Sequence, residues 1–312
     1  MKFLTLFTAP KPFTNPHIAK IQRNALLSWQ ALGELVEVVM IGDEAGMEAV
    51  AVELGIKHLP EVKTNALGTP LISSIFDLGR AQNDSPYLGY VNADILLMPD
   101  LISALKQVGA AWEKFLFIGQ RWDLDVNQQM NFGPGWVEDL IEQVSTIGLL
   151  HPRTGSDYFI FPRKCFTKVP DFAVGRARWD NWMIYHGRES VIPVVDATNA
   201  VMIVHQNHDY SHLPGGQPHY KMPESDVNLK LAGGGRTVFQ LDDCTHEFRN
   251  QHIRKMKNSW KRLMREIEIW PLIRLHSRKL GWLSFAMFHP KKALGEIRGW
   301  LKYKLRQRET KA

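Results

Sequence analysis

Cysteine is scarce: in 312 residues the chain holds two thiols, Cys165 and Cys244. They form neither a CxxC pair nor a disulfide framework, which excludes a small disulfide-stapled scaffold and a cysteine-ligated zinc site and points to a reducing compartment. Long apolar runs are missing too. No stretch reaches the roughly 18 residues a membrane span needs, and the opening FLTLF is soon interrupted by Pro10 and Pro12. Neither a span nor a signal peptide is expected. Internal repeats and low-complexity tracts are absent. The run Gly233-Gly234-Gly235-Arg236 follows no predicted strand and precedes no G-K-[ST], so it reads as a hinge and not as a phosphate cradle.

What remains is the composition of a globular protein, 45% hydrophobic and 22% charged, long enough for one large domain plus an appendage. The charge is unevenly placed. From Ile253 onward stand 17 Lys+Arg against 4 Asp+Glu, and before it 21 against 28, so a net +13 tail follows a −7 body. In the body, apolar runs alternate with helical periodicity. Strands are expected at 3–7, 36–42, 56–59, 87–97 and 115–120. A helix opens at Asn15-Pro16, with Ile18, Ile21, Ala25, Leu26 and Trp29 on one face, and others are expected over 44–54, 70–82 and 99–108. This is the rhythm of βαβ units around a parallel sheet covered on both faces, hence α/β. Further on the pattern gives a helix at 135–147, a strand at 157–162, a helix at 178–187 and a strand at 200–206. A long mobile loop at 207–236, with His208, His212 and His219, completes the body.

Chemistry-bearing residues cluster at three places. In Tyr90-Val91-Asn92-Ala93-Asp94, a carboxylate ends the central strand, at the rim where doubly wound sheets take their ligands. It either holds Mg²⁺ or Mn²⁺ on a phosphate or caps the turn before the Pro99 helix. A second pair of acids, Asp123 and Asp125, competes for the metal, and Arg121 beside it either neutralises a phosphate or pairs with those aspartates. Asp180 stands at the head of a Trp-rich helix, where an acid caps the helix and meets the favourable end of its dipole. His205 and His208 follow a β-branched strand, so they are not a helical H-x-x-x-H pair.

The order of strand, proline-containing loop, helix, strand ending in Asp43, and then YVNADILLMPDL resembles the nucleotide-sugar-binding half of GT-A glycosyltransferases. The resemblance spans about residues 1–210 and departs from the family pattern in having Asn92 where the first acid stands. It implies a GT-A-like doubly wound, mostly parallel sheet over 1–250, with a nucleotide-sugar half to about 125 and an acceptor half from about 126. A basic helical extension over 251–312 follows. Carried over by position, Thr8, Ala9, Pro10 and Lys11 touch the nucleotide and Asp43 its base, while Asn92, Ala93, Asp94 and Arg121 meet ribose and diphosphate. Asp94, His205 and His208 would hold Mn²⁺ or Mg²⁺. Asp180 would be the base of an inverting transfer. Trp122, Asp123, Asp125, Asp157, Trp179 and Trp182 would line the acceptor pocket. The implied reaction moves a sugar from a UDP-sugar to a hydroxyl of a glycan or lipid-linked glycan. The alternatives are a sugar-phosphate nucleotidyltransferase, disfavoured because TAPKPF is not a glycine-rich triphosphate cradle, and a non-catalytic membrane- or nucleic-acid-binding protein.

The tail repeats apolar residues at helical spacing, Ile253, Met256, Trp260, Leu263, Met264 and Ile267, and again after Pro290, among many Lys and Arg. Such basic amphipathic helices suit an anionic membrane surface, and a cytoplasmic, peripherally bound protein is expected, with no nucleic-acid partner. The other reading is helices packed on the body with a solvated basic face.

Overall fold

The computed structural model describes residues 1–208 and 221–309, in two compact units, Met1–Met256 and Lys257–Ala312. The first unit runs β1 (Leu4–Thr8), α1 (Pro16–Gln30), β2 (Val36–Ile41), α2 (Met47–Leu54), β3 (Lys57–Leu59), α3 (Ile72–Ala81), β4 (Tyr87–Val91), β5 (Ile95–Leu97), α4 (Asp100–Ala111) and β6 (Leu116–Ile118). It continues with β7 (Trp122–Leu124), α5 (Trp136–Ile147), β8 (Leu149–Leu150), β9 (Tyr158–Pro162), α6 (Trp179–Glu189), β10 (Val194–Asp196), β11 (Ile203–Gln206), α7 (Pro223–Ala232), β12 (His246–Arg249) and β13 (His252–Lys255).

Among the described residues a nine-stranded sheet has the order β13-β12-β10-β6-β9-β4-β1-β2-β3. It is mostly parallel, with β9 inserted antiparallel between β4 and β6 and β13 closing one edge antiparallel to β12. All five residues of β1 are buried, as a strand covered on both faces must be. Its alternation divides the core. Leu4 and Leu6 join Ala25, Leu26 and Trp29 of α1 and Leu101 and Leu105 of α4 on one face. Phe7, on the other face, meets Phe76 of α3 edge-on at 5.4 Å. A Cβ added at Gly79 would come within 2.7 Å of the Phe7 ring, so the closeness of α3 to the sheet depends on that glycine. The α/β, doubly wound class is thus the one expected from the sequence.

The α1 start is also as read: Asn15 Oδ1 accepts from the backbone N–H groups of His17 and Ile18 at 2.9 and 3.1 Å, with Pro16 in the first turn. Trp29, fully buried, donates its indole N–H to the Ile95 carbonyl at 2.8 Å. Burying a side chain of this size contributes roughly 1.5–3 kcal/mol, and the hydrogen bond prevents an unpaired donor in the core.

Three expectations need correction. The run 87–97 is not one strand. The ladder of β4 on β9 ends at Val91 opposite Tyr158, the Asn92 N–H still reaches the Asp157 carbonyl at 2.9 Å, and then the chain turns. After the turn β5 joins a second, four-stranded sheet, β5-β11-β7-β8. The stretch 207–236 is not all loop: α7 lies within it, closed by Gly233 at φ 105°, while 209–220, with His212 and His219, lies outside the described residues. Ile253 lies in a strand, paired to β12 opposite Phe248, and not in a helix. The first unit accordingly extends to Met256, six residues past the expected division at 250.

The second unit holds α8 (Trp260–Arg274), α9 (Arg278–Phe288) and α10 (Pro290–Glu309). The Ser259 and Ser277 hydroxyls cap the first two by accepting from the N–H groups of Arg262 and Leu280. Ile269, Leu272 and Ile273 of α8 are buried, and Gly281 of α9 packs closely on Leu272. No helix among the described residues is long and apolar enough to cross a membrane.

Candidate active site

The turn between β4 and β5 delivers Asp94 to the carboxyl end of the central strand. The second sheet then supplies its neighbours through register: β11 lies between β5 and β7, with His205 opposite Ile95 on one side and Asp123 on the other. Gln206, fully buried, secures the arrangement. Its backbone N–H and its side-chain amide Nε2 both donate to the Asp94 carbonyl, at 3.1 and 3.2 Å, and Nε2 also donates to the Ile21 carbonyl at 2.7 Å.

Around the Asp94 carboxylate, His208 Nε2 stands 3.1 Å from Oδ2, Lys11 Nζ 3.7 Å and His205 Nε2 4.0 Å. Burial alone would raise this carboxyl, but the His208 hydrogen bond, His205 and the Lys11 ammonium outweigh it and hold the group well below the usual carboxylate range. Burial lowers the Lys11 ammonium from the ordinary lysine value, with Asp94 acting against that.

The donor set suits a divalent cation. One atom from each of Asp94, His205 and His208 lies within 4.8 Å of the others, and Asp94 Oδ1 is buried with no hydrogen-bond partner. A buried carboxylate oxygen left unpaired is costly unless something else takes it up. One oxygen and two imidazole nitrogens fit Mn²⁺ or a similar transition ion better than the all-oxygen shell Mg²⁺ favours.

A second layer of charge backs the first. Arg121 Nε donates to Asp123 Oδ1 and Nη1 to Asp157 Oδ1, each at 2.8 Å. Asn92 Nδ2 donates to the same Asp157 oxygen at 2.8 Å, and His151 Nδ1 lies 2.7 Å from Asp123 Oδ2. Burial raises the Asp123 carboxyl, yet contacts with His205, His151 and Arg121 bring it well below the usual range. Arg121, expected at the diphosphate, is therefore engaged by two carboxylates, the ion-pair alternative of its sequence context. His151 carried no sequence signal: it follows a two-residue strand and sits in no motif.

Asp180 lies in the first turn of α6, after Arg178 at φ 91°. Burial, with the Asp157 charge adding and backbone N–H groups opposing, pushes its carboxyl up to about 6. A Cβ at Gly155 would meet Asp180 Oδ2 at 2.8 Å, so that glycine leaves the carboxylate its space.

The other expected residues divide into two groups. Thr8 ends β1 with its hydroxyl buried and without a hydrogen-bond partner, followed by Ala9, buried Pro10 and Lys11. Asp43 is exposed just beyond β2, which runs parallel to β1 with Met40 beside Thr8, so it lies at the same edge of the sheet. Ala93 is the middle residue of the Asn92–Asp94 turn. Asp125 is exposed and accepts from Asn207 Nδ2 at 2.8 Å. Of the three tryptophans expected at the acceptor pocket, two have little free surface. Trp179 is 5% exposed, edge-on to Tyr90 at 5.0 Å and against Phe159. Trp182 is 7% exposed, stacked on His186 at 4.6 Å. Trp122 packs on the small cluster of Leu96, Leu124 and Leu140. Stacking on a sugar needs a free aromatic face, and the first two have none to spare.

No protein family and no curated protein matches the chain. Among solved structures it is similar to glucosyl-3-phosphoglycerate synthase from Mycobacterium tuberculosis in complex with Mn²⁺, uridine diphosphate and phosphoglyceric acid. That likeness has 15% identity, covers 75% of this chain and 79% of that chain, and has a TM-score of 0.45. The same synthase with Mn²⁺, uridine diphosphate and glucosyl-3-phosphoglycerate gives 14% identity, 83% and 88% coverage and a TM-score of 0.43. S. aureus TarS gives 12% identity and a TM-score of 0.44; 66% of this chain is covered, but it spans only 37% of the TarS chain. Likeness this distant leaves the chemistry of the site to be read from its own residues.

Proposed function

We propose that the chain is a glycosyltransferase that moves a sugar from a nucleotide-diphospho-sugar, a UDP-sugar, to a hydroxyl of a glycan or lipid-linked glycan. The observation that carries the reading is the convergence of Asp94, His205 and His208 at the carboxyl end of the central strand, around an unpaired buried carboxylate oxygen. That edge is where doubly wound sheets bind their ligands.

A divalent cation held by Asp94, His205 and His208 would supply counter-charge to a departing diphosphate. The chain's own groups account for the remainder. Thr8 to Lys11 and Asp43 share the sheet edge and border the nucleotide. Asn92 and Arg121 fix Asp157, and Asp157 in turn acts on Asp180. Asp180, raised to about 6, is mostly ionised at neutrality and takes the proton of the acceptor hydroxyl, whose own pKa is far too high for unaided attack. One displacement with such a base inverts the anomeric centre.

A second feature supports a place for this chemistry. Trp260, Leu263, Ile267 and Trp270 recur along α8 at exposures of 74, 50, 48 and 52%, and Leu283 and Met287 of α9 at 52 and 81%, in a unit rich in Lys and Arg. Exposed apolar residues amid basic ones favour peripheral attachment to an anionic, cytoplasm-facing membrane, where a lipid-linked acceptor would reside. The test of the catalytic reading is a panel of nucleotide-sugars scored for binding and for Mn²⁺-stimulated hydrolysis. One donor turned over with metal, and not without, is the expected result; no binding across the panel would end it.

A further inference from the structure

Lys11 stands where a cation belongs. Its Nζ is 3.1 Å from His208 Nε2 and 3.7 Å from Asp94 Oδ2, and those two atoms are themselves 3.1 Å apart. An ammonium has three N–H donors and no lone pair, so here it neutralises the carboxylate, and it donates to His208 Nε2 in the tautomer protonated at Nδ1, in which that nitrogen no longer donates to Asp94. Asp94 and His208 are also two of the three residues that converge, with His205, as a ligand set. The lysine backbone is fixed: its N–H donates to Gln22 Oε1 at 2.6 Å, its carbonyl accepts from Gln22 Nε2 at 2.9 Å, and Gln22 is 2% exposed on α1. The side chain is less confined, with 32% of its surface exposed. A fixed root with a partly open head can release its partners without any movement of the fold.

We propose that Lys11 is the resident cation of this site: its ammonium holds the corner between Asp94 and His208 until a divalent ion displaces it, and the displaced ammonium then turns to the diphosphate of the nucleotide. The second half rests on the glycosyltransferase reading; the first does not. The lone pair of His208 Nε2 cannot serve an ammonium and a metal at once, and two positive charges beside one carboxylate repel each other, so Lys11 and the metal oppose each other. A diphosphate that draws Lys11 away removes that opposition. Metal and nucleotide are therefore coupled through the lysine, and the coupling acts equally in both directions. Lys11 also leaves the metal-free protein some affinity for nucleotide, since one positive charge is already in place.

The test is Mn²⁺ binding by calorimetry, with free Mn²⁺ followed by electron paramagnetic resonance. The proteins are the full chain, Lys11→Met, which keeps the length without the charge, and Lys11→Arg, which keeps the charge. Each is measured alone and with saturating UDP, and thermal melts verify the fold. Without UDP, Lys11→Met is expected to bind Mn²⁺ about tenfold more tightly than the unaltered chain, a coupling of ordinary size, while Lys11→Arg gains nothing. UDP should improve Mn²⁺ affinity less in Lys11→Met, and UDP binding in EDTA should weaken. Equal or weaker Mn²⁺ binding by folded Lys11→Met overturns the resident-cation role and leaves the metal site standing. If the unaltered chain binds no Mn²⁺ with or without UDP, the metal reading and this proposal fall together. Should Lys11→Met not fold, Lys11→Gln carries the same comparison.

Discussion

His205 Nδ1 lies 3.3 Å from Asp123 Oδ1, while the same ring turns its Nε2 toward Asp94, 4.0 Å from Oδ2. The approach to Asp123 is off the line of a hydrogen bond, since Nδ1 is without such a partner, so the contact is electrostatic. A carboxylate beside Nδ1 favours the proton on that nitrogen and leaves the Nε2 lone pair for a metal. Asp123 is thereby a positioning residue. Asp123→Ala should weaken Mn²⁺ binding roughly 10- to 100-fold, the usual effect of losing a carboxylate behind a ligating histidine. Asp94→Ala should abolish it, and UDP binding should become indifferent to EDTA. Calorimetry on the two variants checks both, and wild-type Mn²⁺ affinity in Asp94→Ala would refute the ligand assignment.

Asp180 predicts a pH profile. Burial, with Asp157 nearby, raises its carboxyl to about 6, so as a base it gains activity as pH rises through 6 and levels off above. Asp180→Asn should keep donor binding and lose about 10²- to 10⁴-fold in kcat. Asp157→Asn removes the neighbouring charge and should move the acid limb of the profile to lower pH. Transfer by Asp180→Asn near the original rate would give the base role to another residue.

Much of this site could be read from residue types. Asn92 and Asp94 at the end of an apolar strand, and two histidines after another, are polar groups where a buried strand should hold none. The break inside YVNADILL could not be read, because Ile95, Leu96 and Leu97 are as apolar as the strand before them and only pairing with β11 assigns them to a second sheet. The burial of Trp179 and Trp182 could not be read for a related reason: a Trp-rich helix looks the same whether its rings face a ligand or other rings. The β12–β13 hairpin was hidden by its turn. Asn250 and Gln251 both have positive φ, 50° and 59°, a conformation usually marked by glycine, and its absence let Ile253 and Met256 pass as helical spacing.

Asp100 offers a test of stability independent of activity. Burial pushes its carboxyl up to about 6 against the pull of the Met202 and Leu101 N–H groups, and its Oδ1 is buried without a hydrogen-bond partner. A carboxyl whose folded value lies above its unfolded one adds stability when protonated, fully below about 4, and that contribution is lost as pH rises through about 6. In Asp100→Asn the amide oxygen can still accept from Met202, whose N–H is 2.9 Å from Oδ2. The loss of a negative charge in the first turn of α4 costs about 0.3–1 kcal/mol, less than the 1–3 kcal/mol, in order of magnitude, released by not burying it. The variant should therefore melt higher than the unaltered chain at pH 8 and no higher at pH 4. A higher melting temperature at both pH values, or at neither, would mean that charge burial is not the cause.

The tail prediction turns on which force holds it to a surface. The second unit exposes Trp260 and Trp270 on α8 and Trp300 on α10, the last at 54%, among the Lys and Arg that make the tail net positive. If it docks on anionic lipid, the two contributions should separate. Electrostatic attraction is screened within about 8 Å at physiological ionic strength, so high salt should weaken binding, while insertion of the apolar stripe should persist. Liposome flotation of the full chain on anionic and on neutral vesicles checks the first point. The double substitution Trp260→Ser and Trp270→Ser checks the second: these residues are exposed, so the fold should survive and salt-resistant binding should fall. A tail that merely carries a solvated basic face would float with neither lipid. One that binds by charge alone would float on anionic vesicles, wash off completely in salt and ignore the tryptophan substitutions, and that result would refute the inserted stripe.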